Sequence, residues 1–251
     1  MKTKIMGILN CTPDSFYAGS RVQSEKEIAT RAEQIISEGG EIIDVGAYST
    51  RPGATEVSEE EEMRRLRMAL SVIRRECPRA VVSVDTFRAS VARMAAEEYG
   101  VQIINDVSEG SDPQMFATVG RLGVGYILMS VEPTMERMLS RFTNEVEQLR
   151  EAGCKDIVLD PGFGFGKDVI RGNYDILLRL NEVKQHFPTL PLLAALSRKR
   201  MVWMPLDVTP DTLSAMHGTM LLNLISMQQG ADILRVHDVK ATAKMMLRCN
   251  Y

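Results

Sequence analysis

Short apolar runs and longer amphipathic stretches alternate along the whole chain. The runs cover residues 4–9, 41–45, 80–84, 102–104, 125–129, 156–159, 190–195 and 232–236. Most are apolar throughout or nearly so, the pattern of parallel strands buried on both faces. Between them, apolar residues return at helical spacing. Met63, Leu66, Leu70 and Ile73 share one face, as do Ile176, Leu180, Val183 and Phe187, and Leu213, Met216, Met220, Leu224 and Met227. Start signals agree with this phasing. Ser24-x-x-Glu27 and Ser58-x-x-Glu61 read as capping boxes, Asp112-Pro113 and Thr209-Pro210 put proline at a first helical position, and Asp238 can cap the last helix. There is no internal repeat, low-complexity tract or linker at which a domain boundary could fall. Eight strand–helix alternations predict a closed (β/α)8 TIM barrel, one domain over residues 1–251, with an open doubly wound sheet as the alternative. No G-x-G-x-x-G follows the first run, which counts against the open sheet.

Composition narrows the setting. A net charge of −3 over 251 residues leaves no basic surplus for a nucleic-acid partner. No run approaches the roughly 18 apolar residues of a membrane span, and the stretch 5–9 is too short for a signal peptide. Cys11, Cys77, Cys154 and Cys249 show no paired C-x-x-C spacing, so neither a zinc site nor a disulfide framework is expected, and a reducing cytoplasm is. The sixteen methionines are scattered at helical spacing and read as core filler.

In a barrel of this kind the active site is built at the carboxyl ends of the strands. Polar groups leave all eight runs there. Asn10 follows the first, Ser49-Thr50-Arg51-Pro52-Gly53 the second, Asp85 the third, and Asn105-Asp106 the fourth. Met129-Ser130 follows the fifth, Asp160-Pro161-Gly162 the sixth, Ser197-Arg198-Lys199 the seventh, and Arg235 to Asp238 the eighth. Taken singly, Asp85, Asp106 and Asp160 fit helix capping as well as chemistry, Arg198-Lys199-Arg200 fits a solvated charge run, and Gly162, Gly164 and Gly166 fit simple turns. Their coincidence on one rim is what points to a site.

Seven of these segments resemble, in order, the signatures of the dihydropteroate synthase family. They are Ile8-Leu9-Asn10-Cys11-Thr12-Pro13-Asp14-Ser15-Phe16, then Ile43-Asp44-Val45-Gly46 with Ser49-Thr50-Arg51-Pro52-Gly53, then Ser83-Val84-Asp85-Thr86 and Ile104-Asn105-Asp106. Asp160-Pro161-Gly162-Phe163-Gly164-Phe165-Gly166-Lys167, Ser197-Arg198-Lys199 and Arg235-Val236-His237-Asp238 complete the set. The resemblance implies an enzyme that joins 6-hydroxymethyl-7,8-dihydropterin diphosphate to p-aminobenzoate, releasing diphosphate, with p-aminobenzoate mimics such as sulfonamides as inhibitors. It implies a pterin pocket of Asp85, Asn105, Met129, Asp160, Gly164, Phe165 and Lys199. Asp160 would accept from the ring's adjacent N–H donors, as a carboxylate suits. It implies a p-aminobenzoate site of Phe16, Thr50, Arg51, Pro52 and Lys199, and a diphosphate site of Asn10, Thr50, Arg51, Arg235 and His237, with Mg2+ held by Asn10. The catalytic set is then Asn10, Asp85, Asp160, Lys199, Arg235 and His237, in a homodimer formed through the last helices.

Two segments depart from the family pattern. Tyr17-Ala18-Gly19-Ser20-Arg21 stands where the family has a small residue and then Asp-Gly-Gly, and Met129-Ser130 replaces Met-His. Two other functions remain open on sequence grounds. A pterin-dependent methyltransferase shares the barrel and pterin pocket but needs no diphosphate site; a non-catalytic pterin binder would keep the pocket without turnover.

Overall fold

All eight runs become strands, and all pair in parallel. They are β1 Lys4–Asn10, β2 Ile42–Gly46, β3 Val81–Asp85, β4 Ile103–Asp106, β5 Gly125–Met129, β6 Ile157–Asp160, β7 Leu193–Ala194 and β8 Ile233–Val236. The structure, a computed structural model, describes residues 3–11, 21–48 and 57–249. Neighbouring strands follow the order β6-β5-β4-β3-β2-β1-β8-β7. The ends of that series meet through a parallel bridge between Leu159 and Leu192, with the Leu159 N–H donating to the Pro191 carbonyl at 2.9 Å. The sheet is therefore a closed (β/α)8 barrel.

The connecting segments form α1 Arg21–Ser37, α2 Glu59–Glu76, α3 Ala89–Tyr99, α4 Met115–Leu122, α5 Met135–Glu151, α6 Arg171–Leu178, α7 Leu180–His186, α8 Arg200–Trp203, α9 Leu213–Gln228 and α10 Val239–Arg248. Because strand side chains alternate, each strand serves two cores. Ile5, Leu9, Ile43, Val45, Val84, Ile104, Leu128, Leu159 and Leu234 face the helices. Met6, Ile42, Ile127, Leu193, Ala195 and Ile233 form a separate cluster inside the barrel, with Ile103 and Val158 packed on it. Full burial of each large apolar side chain contributes about 1.5–3 kcal/mol, so this plug anchors the strands whose next inward residues are polar.

The helices correct several details. The Ser58 hydroxyl accepts from the Glu61 N–H at 3.3 Å, but Glu61 turns to Arg64 and Arg65 rather than back to residue 58. Ser24 lies inside α1, not at its cap. Asp112 and Thr209 do not set prolines at first helical positions, since α4 and α9 begin at Met115 and Leu213. Asp112 instead accepts from the Ala89 N–H of α3 at 2.8 Å, and Thr212 caps α9. The face through Ile176 and Leu180 is buried, yet Arg179 divides it between two helices. On α9 the buried residues include Ala215, Thr219, Leu222 and Ser226, while Leu213 is 71% exposed. The Thr219 hydroxyl accepts the Arg198 N–H from the barrel rim at 3.1 Å, which draws its side of α9 inward; of the predicted stripe Met227 is buried, and Met216, Met220 and Leu224 are half-buried.

Candidate active site

Two residues beyond the apolar plug, the inward positions on β2 and β8 are ionic. From β8, Arg235 reaches across the barrel mouth, donating from Nε to Asp44 Oδ2 at 2.6 Å and from Nη2 to Asp85 Oδ2 at 2.7 Å. Asp44 is fully buried. It also accepts from Asn105 Nδ2, at 3.4 and 3.2 Å to its two oxygens. Burial works against the Arg235 cation, but Asp44 and Asp85 together hold its pKa above the ordinary range. Burial raises the Asp85 pKa, Arg235 opposes the rise, and Asp44 adds to it. Asp106, next to Asn105, stays structural, accepting from Ser108 and from the Tyr126 hydroxyl at 2.7 Å.

The β6 side supplies a second charged pair. Asp160 is buried, and its Oδ1 accepts from the Gly162 N–H at 2.8 Å. Burial pushes its carboxyl upward, against the pull of Lys199. The turn after Asp160 needs glycine: Gly162 has φ +68°, and a Cβ there would stand 2.0 Å from the Ser130 carbonyl oxygen. Lys199 donates to the Phe163 carbonyl and lies 4.7 Å from the centre of the Phe165 ring. A Cβ on Gly164 would stand 3.3 Å from Lys199 Cδ, so the lysine stem runs close over that backbone. Burial lowers the Lys199 ammonium to about 8, more than Asp160 restores. Met129 is buried beside this turn, level with Asp160 across the β5–β6 pairing.

Ser197, Arg198 and Lys199 do not act as one charge run. Arg198 sits at φ +56°, and the three side chains diverge. Ser197 Oγ lies 3.0 Å from His237 Nδ1, Lys199 turns inward, and Arg198 pairs with Asp238 at 2.8 and 2.9 Å. Asp238 therefore does not cap α10 with its side chain; its carboxylate is taken. His237 is held further by its backbone, whose carbonyl accepts from Arg31 Nη2 at 2.7 Å.

Asn10 ends β1, half-buried at the same mouth. A Cβ on Gly46 would stand 3.7 Å from Asn10 Oδ1 and 3.8 Å from Asp85 Oδ2, so the glycine leaves oxygen-lined space between them. A neutral amide oxygen with a neighbouring carboxylate suits Mg2+, which takes hard oxygen ligands and keeps several waters. No group of three His, Cys, Asp or Glu that could hold a metal occurs among the described residues. Phe16, Thr50, Arg51 and Pro52 lie outside the described residues, as does Ala18. The flanks of 49–56 are fixed, however: Arg88 stacks 5.4 Å from the Tyr48 ring centre and donates to the Val57 carbonyl at 2.9 Å.

Comparison with known proteins identifies the family of the chain as a whole. The family described as pterin binding enzyme matches residues 6–237. Dihydropteroate synthase from Bacillus subtilis is 40% identical, with 97% of this chain and 86% of that one covered. The Escherichia coli dihydropteroate synthase is 38% identical, over 96% and 89%. The chain belongs to the dihydropteroate synthase family. Among solved structures of that family, one from Clostridium difficile, obtained in the presence of pteroic acid, superimposes with a TM-score of 0.92 at 35% identity, covering 100% of this chain and 97% of the other. The Xanthomonas albilineans dihydropteroate synthase with 4-aminobenzoic acid gives 0.87 at 32% identity, over 99% and 92%. The departure at Ser130 is accommodated locally, where this family member uses the hydroxyl to bond Glu109 Oε1 at 3.0 Å.

Four residues at this site were given no role from the sequence, although Asp44, Lys167 and Ser197 stand within the motifs quoted above. Asp44 anchors Arg235 and Asn105; Ser197 holds His237; Arg31 ties β1 to β8 by donating to the Ile8 and His237 carbonyls. Lys167 donates to the Ser130 and Phe165 carbonyls at 3.1 and 3.0 Å, joining the turns after β5 and β6. For Asp44 the signal was present, a lone charge inside an apolar strand buried on both faces.

Proposed function

We propose that the ionic layer of this barrel joins 6-hydroxymethyl-7,8-dihydropterin diphosphate to p-aminobenzoate, giving 7,8-dihydropteroate and diphosphate. The observation that carries this reading is one of place. Asp85, Asn105, Asp160, Lys199 and Arg235 converge from five different strand ends in a chain that belongs to the dihydropteroate synthase family. Relatives crystallised with pteroic acid and with 4-aminobenzoic acid support the same substrates here.

Asp160 accepts from the adjacent N–H donors of the pterin's pyrimidine edge. Lys199 swings its ammonium from the Phe163 carbonyl to the ring carbonyl, its stem and Phe165 packing on the ring. Asp85 and Asn105 meet the remaining ring heteroatoms, and Met129 lines the floor. The bond from the pterin methylene carbon to diphosphate oxygen breaks first. Buried Asp85 and Asp160 favour the pterin methyl cation that results, while Arg235, His237 and Asn10 receive the diphosphate. The amine of p-aminobenzoate, held by Phe16, Thr50, Arg51, Pro52 and Lys199, then forms the new C–N bond and gives up a proton. No covalent enzyme intermediate is needed. Mg2+, bound through Asn10, would neutralise charge on the leaving diphosphate.

Two wider readings go with this one. We place the protein in the cytoplasm, in keeping with four free cysteines and with no helix among the described residues long and apolar enough to cross a membrane. We also read it as a homodimer through α9 and α10, which expose Leu213, Leu221 and Leu247.

Incubating the protein with the pterin diphosphate, Mg2+ and p-aminobenzoate should release dihydropteroate and diphosphate in equal amounts, and chelating the metal should stop release. Tight pterin binding with no product would mean a pterin-binding protein without this catalysis.

A further inference from the structure

Asn105 carries an unusual pair of conditions. Its amide nitrogen faces the Asp44 carboxylate, and its Oδ1 is buried with no partner. A side-chain amide can turn over, exchanging oxygen for nitrogen. Turned the other way, Asn105 would set its oxygen 3.2 to 3.4 Å from two carboxylate oxygens, acceptor against acceptor. Asp44 cannot move aside to relieve that contact. It is fully buried in β2, and Arg235 Nε holds its Oδ2 at 2.6 Å.

We propose that Asp44 is a positioning residue that locks the Asn105 amide with its oxygen facing the pocket, so that the site selects a ring edge offering an N–H donor there. The proposal rests on the pterin reading above and deepens it. A buried acceptor left without a donor is costly, and a ligand that brings an N–H to Asn105 Oδ1 removes that cost. A ring with a bare acceptor nitrogen at the same place leaves it standing and adds repulsion. The same carboxylate also aims Arg235, whose other donor goes to Asp85 at 2.7 Å. One buried group on β2 thereby sets the polarity of two pocket residues from β4 and β8, while touching no ligand itself.

The test is an exchange of the two side chains. Asp44→Asn gives Asn105 a neighbour that tolerates either orientation, and pterin affinity should fall at least about tenfold. Asn105→Asp sets two carboxylates together and should fall further. In the double variant Asp44→Asn/Asn105→Asp, the new amide at 44 donates to the new carboxylate at 105. Its oxygen still accepts from Arg235, and the outward oxygen at 105 still accepts from the ring. Affinity should return to within about threefold of wild type, by the same conversion of energy to binding constant. KM for p-aminobenzoate at saturating pterin diphosphate should stay constant in every folded variant, with melting curves as the control for folding. Wild-type affinity in Asp44→Asn, or a double variant no better than Asn105→Asp alone, would overturn the proposal. The second comparison stands even where Asp44→Asn is too unstable to titrate. A wild-type protein that fails to bind pterin overturns the functional reading itself, a result distinct from either.

Discussion

The inside of this barrel holds two layers built on opposite rules. Met6, Ile42, Ile127, Leu193 and Ile233 form a dry plug. Two residues further along β2, β5 and β8, roughly 6.6 Å by the rise of parallel β-structure, stand Asp44, Met129 and Arg235. In the lower layer burial stabilises and no partner is required. In the upper layer burial costs stability unless each charge is matched, and the three carboxylates Asp44, Asp85 and Asp160 share two cations, Arg235 and Lys199. The same strands thus supply rigidity from one layer and electrostatic strain from the next. The strain is where substrate binding can be rewarded.

Three measurements can break or sharpen this contrast. The largest effect is expected from Asp160→Ala. Losing two bonds to a charged acceptor, at roughly 1.5–3 kcal/mol each, should carry pterin binding beyond detection while the melting curve keeps its cooperativity. Pterin affinity matching wild type would reduce Asp160 to a turn residue for the Gly162 N–H. Next comes the mirror-image change, Ile127→Ala in the plug. It should lower unfolding free energy by about 2–5 kcal/mol, the usual cost of such a cavity, yet leave pterin affinity in the folded protein within about twofold. A matching loss of affinity would show that the two layers are not separable.

The smallest effect is a pH dependence. The Lys199 ammonium sits near 8 in the free protein, below the ordinary lysine value of 10.5. Affinity that needs the charged form is complete below that pH and should fall as pH rises through it, by up to about tenfold per unit. Lys199→Met should flatten the pterin affinity profile between pH 7.5 and 9.5, roughly the window set by that lowered pKa. The sign for stability is opposite. The native state binds fewer protons than the unfolded one between about 8 and 10.5, so this residue makes the fold relatively more stable as pH rises across that window.

Much of the barrel was legible because strands buried on both faces must be apolar nearly throughout, and that pattern survives without knowledge of any partner. Residues 125–129 were read to the residue, whereas 190–195 shrank to Leu193–Ala194. Polar signals fared less well, because each has several local uses and only tertiary neighbours choose among them. Asp238 went to Arg198 rather than to its helix, and Asp112 capped the helix before it. The α9 stripe was misphased in part for the same reason, since Thr219 answers to the rim while Met227 is buried as expected. At the site the legible part was the set of residues leaving the strands. Asp44 stood within a quoted motif but received no role, because it lies inside a strand, where only packing is expected.

The short β7 has a consequence of its own. Between β6 and β7 the barrel is joined by one bridge at Leu159 and Leu192, whereas β1 and β2 share five register pairs. Asp160 and Lys199 stand on opposite sides of that seam, one after β6 and the other after β7. A pterin gripped by both is a removable cross-link over the least-bonded joint of the sheet. Binding then shifts the population of seam-open states by mass action, and amide exchange at Leu159 should slow with pterin concentration more than at the strands opposite. A bound pterin would thus brace the barrel at the joint that the sheet itself holds by a single bridge.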